Sequence, residues 1–135
     1  MLRPFTVALL VLLYSGGADG HPWSRPNIQV GLASFYGPGF NGDRTANGEI
    51  FDQRKLVAAH RTLPLGSVVR VTNLDNGRDV VLRVIDRGPY GKNHRKGCII
   101  DVSKRAASRL GFVRQGIIQV RVEVIRYGTA GNRNS

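Results

Sequence analysis

The chain has one cysteine, Cys98, among its 135 residues. A single thiol excludes an intrachain disulfide framework and any zinc site built on cysteine pairs. Acids are scarce too. Asp and Glu number 9 against 20 Lys and Arg, for a formal net charge of +11, so carboxylate chemistry must draw on a short roster. The longest apolar run, 5–14 (FTVALLVLLY), falls short of the roughly 20 residues that a membrane-crossing helix needs. A Walker loop, a dinucleotide fingerprint and a Gly-x-Ser-x-Gly elbow are all missing. The length suits one domain and excludes an enzyme with separate cofactor and substrate domains.

The first twenty residues read as a secretory signal. Arg3 precedes the apolar run, and Ser15, Gly16, Gly17 and Ala18 follow it, so cleavage fits after Ala18 or Gly20. No cysteine stands there to carry a lipid, so the expected product is exported, soluble and without a membrane anchor. Processing would remove Arg3 and Asp19 together, leaving the net charge at +11. Such a surface favours an anionic polymer, and export argues against nucleic acid. Residues 21–27, with Pro22 and Pro26, read as an extended leader, and 127–135 as a frayed polar tail.

The body, 28–126, reads as short strands. Strands are predicted over 28–36, 67–73, 78–85, 98–102 and 117–125. The second and third are joined by Leu74-Asp75-Asn76-Gly77, whose Asn-Gly is a strong hairpin signal. Period two puts Val80, Leu82 and Val84 on one face, and Ile118, Val120, Val122 and Val124 on one face of the last strand. One helix is predicted over 103–110, with Ser103 as N-cap, Ala106, Ala107 and Leu110 as its apolar side, and Gly111 closing it. The fold class is thus mostly β: a small barrel with one short helix.

Sorting the acids leaves three candidates. Asp43 and Asp75 suit turns, Asp79 and Glu123 lie on solvent faces, and Asp101 is expected to bond the amides of a loop or of the helix start. Asp86 ends the strongest strand and opens Asp86-Arg87-Gly88-Pro89-Tyr90, so the strand fixes it and the loop exposes it. Glu49 follows Gly48, which frees the backbone to aim its neighbour, and Asp52 is close behind. His60 closes a short apolar run, where it is either a satisfied core residue or a donor to a nearby carboxylate. Glu49, His60 and Asp86 could in principle form a metal site but are too few to predict one, and no cofactor is predicted.

The segments Ala33–Gly37, Thr45–Asp52, Ala58–Gly66, Val71–Asn73, Asn76–Arg78, Asp86–Tyr90 and Ile99–Ser103 together resemble the rare lipoprotein A family, over about 31–125. The resemblance implies a six-stranded double-psi β-barrel. It also implies a bacterial cell-envelope, periplasmic enzyme: a lytic transglycosylase that cuts peptidoglycan between N-acetylmuramic acid and N-acetylglucosamine, prefers glycan stripped of stem peptides, and works as a monomer alongside cell-division proteins. By motif, the family's active-site acids fall on Glu49 and Asp86, with His60 beside them. As a hypothesis, Asp86 is the acid/base, with Glu49 raising its proton affinity, stabilising sugar charge or serving as the acid itself, and His60 bonded to one of them. Tyr36 would floor a sugar ring, and Asn47, Asp52 and Arg87 would contact substrate. Related expansin-type barrels bind polysaccharide without cutting it, which makes a binding module the competing expectation. The loop 91–98 (GKNHRKGC) is longer and more basic than the family pattern, and Cys98 stands where Arg is usual.

Overall fold

The computed structural model describes residues 27–129. The expectations for the signal segment, nearly all of the leader and the last six residues lie outside the described residues. The chain runs β1 (Ile28–Phe35), a 3₁₀ turn (Pro38–Phe40), β2 (Val57–His60), β3 (Val68–Asn73), β4 (Asp79–Asp86), α1 (Gly91–Arg95), β5 (Cys98–Val102), α2 (Lys104–Leu110) and β6 (Ile118–Arg126). The six strands close into a barrel in the order β1-β5-β2-β4-β3-β6. Two neighbouring pairs, β1 with β5 and β2 with β4, are parallel.

Alternation explains most of the wall. Val80, Leu82 and Val84 of β4 and Ile118, Val120 and Val122 of β6 fill the interior, with Val69, Val71, Ile100 and Phe112. Removing apolar side chains of this size from water stabilises by about 1.5–3 kcal/mol each. Helix α2 forms as predicted. The Ser103 hydroxyl accepts from the Ala106 amide at 3.2 Å, and Gly111 takes the left-handed conformation at φ 80°. The β3–β4 hairpin is tied to the helix end, since the buried Asn73 side chain and that of Asn76 both donate to the Leu110 carbonyl, at 2.9 and 3.0 Å.

Three features depart from expectation. β2 was not predicted as a strand: only four residues long and buried throughout, it lacks the inside–outside contrast that alternation needs. The 91–98 loop carries a second helix, α1, with no side-chain cap and no buried residue, closed by backbone bonds from the Lys96 and Gly97 amides to the Lys92 and His94 carbonyls at 3.1 and 3.0 Å. The described start of the tail is fixed rather than frayed, for the Gly128 amide donates to Ser67 Oγ at 2.9 Å.

One irregularity positions the site. Even-numbered residues of β4 point inward, and strict alternation would bury Asp86 with them. The β2–β4 register instead shifts, pairing Ala58 with Val84 but Ala59 with Asp86. The bulged Ile85 packs on the outer side of the wall in a second cluster, with Tyr36, Phe51, Val57 and Ala59. Asp86 is thereby turned outward, the re-aiming that β-bulges provide.

Candidate active site

Ala59 is the hinge of the site. It pairs with Asp86 on one side and with Asp101 on the other, and Asp101 pairs in turn with Ser34. Ser34, Asp101, Ala59 and Asp86 thus form one row across β1, β5, β2 and β4. Two strand spacings of about 4.8 Å put the backbones of the two acids roughly 10 Å apart. The small side chain of Ala59 lies between them.

Asp86 is held by two donors. Tyr36 Oη donates to Oδ2 at 2.7 Å, and the Ala46 amide donates to Oδ1 at 2.9 Å. The Ala46 amide comes from the loop 44–50, which is seated on β4 by a bond from the Asn47 amide to the Ile85 carbonyl at 3.1 Å. Gly48, at φ 92°, makes the sharp turn that this loop requires. Glu49 belongs to the same loop and faces Arg83, whose Nη2 donates to Oε1 at 2.8 Å. Arg83 Nη1 and Asn47 Nδ2 both donate to Oε2. Arg83 above all holds the Glu49 carboxyl down, from 4.5 to about 2.

Tyr36 differs from its expected part. Its ring is stacked on Phe51 at a centroid separation of 4.2 Å, meets the edge of Phe40, and is 8% exposed, so it offers no face to a sugar. Burial, then the hydrogen bond to Asp86, raise the phenol's pKa, so it remains a neutral donor. His60 also differs. Ala59 and His60 are consecutive on β2 and point to opposite faces, so His60 reaches neither acid. Its Nδ1 accepts from the Thr62 and Leu63 amides at 3.2 and 3.1 Å, which leaves Nε2 to donate to Gln29 Oε1 at 2.9 Å. Burial, then Arg61 and Arg87, lower it to about 4. Arg87 itself donates to the His60 and Leu63 carbonyls, at 3.1 and 2.6 Å. Asp52 sits in a surface turn bound to Arg54, with Nε to Oδ1 at 3.1 Å.

A groove of about 360 Å³ opens over the row of acids. Of the residues singled out in the sequence, Tyr36, Asp86 and Arg87 line it, whereas Asn47, Glu49, Asp52 and His60 do not. Its rim carries Phe40 and Tyr90, 54% and 62% exposed, as the available ring faces. Asp101 also lines it. Rather than bonding amides, Asp101 accepts from Ser34 Oγ at 3.3 Å, and burial above all pushes its carboxyl up to about 6, with the Asp86 charge adding to the effect. The signal for Asp101 lay in β5 itself, where it is the polar residue of the outward pair, Ile99 and Asp101. A second hollow, of about 420 Å³, is lined by Arg54, Lys104, Arg105 and Arg109 and contains no acid. Among the described residues no group of three or more His, Cys, Asp or Glu is gathered to hold a metal ion, and no helix is long and apolar enough to cross a membrane.

A family profile described as lytic transglycolase matches residues 28–122. A Campylobacter jejuni protein named endolytic peptidoglycan transglycosylase RlpA is 49% identical over 105 residues, covering 78% of this chain and 37% of its own. A protein of the same name from Pseudomonas aeruginosa is 52% identical over 102 residues, covering 76% of this chain and 29% of its own. The chain therefore spans about a third of the length of these curated relatives. Among solved structures, a Streptomyces papain inhibitor superposes with TM-score 0.58 at 21% identity, covering 74% of this chain and 96% of its own. A Clavibacter michiganensis expansin superposes with TM-score 0.56 at 21% identity, covering 74% and 51%. At that identity the likeness concerns the barrel fold alone.

Proposed function

The chain belongs to the lytic transglycolase family, and from that premise we propose that it is an endolytic peptidoglycan transglycosylase whose site is the groove over Asp86. The reaction breaks the bond between C1 of N-acetylmuramic acid and the oxygen of the next N-acetylglucosamine, and closes a 1,6-anhydro ring. It needs a proton for the leaving oxygen and a base for the muramoyl 6-hydroxyl. It needs no activated water, unlike glycoside hydrolysis. The observation that carries the reading is Asp86 fixed at the groove floor by Tyr36 and the Ala46 amide, at 2.7 and 2.9 Å. A carboxylate held in this way is oriented for proton transfer before substrate arrives.

The other residues fit around that centre. Glu49, gripped by Arg83, braces the loop that presents the Ala46 amide and so acts on Asp86 indirectly. Phe40 and Tyr90 offer ring faces against which sugars can stack. Arg87 and His60 fix the turn 60–63 beside the groove. We place the protein in the periplasm after removal of residues 1–20, acting as a monomer on peptide-stripped glycan during cell-wall remodelling or daughter-cell separation, alongside cell-division proteins.

The test is a digest of purified sacculi, intact and amidase-stripped, by protein lacking residues 1–20, with soluble products weighed by mass spectrometry. Fragments with 1,6-anhydro ends, one water lighter than hydrolytic products, are expected, with more released from the stripped sacculi. Hydrated reducing ends would indicate a hydrolase. Pelleting on sacculi without release would indicate an expansin-like binding module.

A further inference from the structure

We propose that Asp101 is the proton donor of this site, with Asp86 as the base that receives the 6-hydroxyl proton. The proposal rests on the lytic reading given above. It starts from the row in which Ala59 separates the two acids, both on the outer side of the wall and both lining the groove. Their environments differ in kind. Asp86 has both oxygens engaged as acceptors, one from the Tyr36 hydroxyl and one from the Ala46 amide. That pattern suits a carboxylate that will accept a proton. Asp101 is partly buried and has one long bond, from Ser34 at 3.3 Å. Burial with so little compensation favours the neutral, proton-bearing carboxyl. The direction of its shift, up to about 6, agrees. One carboxyl kept proton-bearing by burial beside another whose two oxygens both accept hydrogen bonds is an arrangement that suits an acid paired with a base.

The groups that face Asp101 are few. Asp86 approaches from β4, and the Tyr36 phenol from the end of β1. Arg87 and Tyr90 line the same groove. On its own strand Cys98 stays a neutral thiol, because burial pushes it up. The proton balance closes without an added reactant. Asp101 gives its proton to the bridging oxygen as that oxygen takes the electron pair of the breaking C1–O bond. The muramoyl 6-oxygen bonds to C1, and its proton passes to Asp86. Solvent then returns a proton to Asp101 and takes one from Asp86.

The experiment compares two substrates, two variants and the unaltered protein. The substrates are amidase-stripped sacculi and a glycan whose muramoyl C1 carries 4-nitrophenoxide, a leaving group that needs no proton. Asp101→Asn should lose about 10²–10⁴-fold on sacculi, and stay within about tenfold of the unaltered protein on the nitrophenyl glycan, the gap that a missing general acid leaves. Activity of the unaltered protein on sacculi should fall as pH rises through about 6. In Ser34→Ala that alkaline limb should move up by roughly half a unit, because the lost hydroxyl bond had favoured the charged carboxyl. Asp101→Asn cutting sacculi at the unaltered rate would overturn the assignment. So would equal losses on both substrates together with an unmoved limb in Ser34→Ala. If the unaltered protein released no anhydro-ended product from either substrate, the lytic reading itself would fall, and this assignment with it.

Discussion

Tyr36 shows how a residue can be found in the sequence for one purpose and serve another. Its place beside a groove was legible from the motif. That its ring faces Phe51 was not, because nothing local records which distant aromatic will stack on it. Its hydroxyl holds Asp86. Tyr36→Phe keeps the stack and removes one bond to a carboxylate, worth about 1.5–3 kcal/mol, so cleavage should slow by about 10–100-fold with little change in sacculus binding. Steady-state rates beside a pelleting assay would check this, and an unchanged rate would remove Tyr36 from the site. His60 makes a contrasting case. Sequence left it either as a core residue or as a partner of a carboxylate, and its two backbone donors and Gln29 favour the former. Its lowered value predicts a ring that remains neutral, with the proton on Nε2, as pH falls to about 4. Ring-nitrogen NMR across pH 3–7 would read that directly, and protonation near the ordinary 6.5 would contradict it.

The loop 44–50 and the β4 bulge matter most among the elements. Alternation located β4 and β6 closely, because half-buried strands record their own faces. It could not show the bulge, since one extra residue is visible only against the partner strand. It could not show the latch either, because Glu49 and Arg83 are far apart in sequence and meet only when the loop folds over β4. Breaking the latch should loosen the loop without unfolding the barrel. In Arg83→Gln the Ala46 and Asn47 amides should exchange with solvent about two- to fivefold faster, as expected for losing a well-formed but partly exposed ion pair. The Glu49 carboxyl should also titrate nearer 4.5 than 2. Native-state hydrogen exchange is the measurement, and unchanged protection would mean that the loop is held by its backbone bonds alone. The sign of the pH effect follows. Glu49 gains its partner only when ionised, so its contribution is complete above 4.5 and disappears as pH falls toward 2.

At the scale of the whole molecule, closure of the barrel brings together what the chain keeps apart. Ser34, Ala59, Asp86 and Asp101 are dispersed over β1, β2, β4 and β5, and become one row only through strand order and register. The ordered motifs were enough to identify the family and the barrel. They were not enough to separate the residues that line the groove from those that support it, because each motif mixes the two. The +11 charge was legible from composition, but the hollow in which Arg54, Lys104, Arg105 and Arg109 gather depends on the packing of α2 against the 52–55 turn. The central claim is that cleavage takes place over Asp86. It is tested most directly by Asp86→Asn, assayed on amidase-stripped sacculi for anhydro-ended fragments and, in parallel, for pelleting. The account predicts a loss of about 10²–10⁴-fold in release with binding retained; release at the rate of the unaltered protein would contradict it.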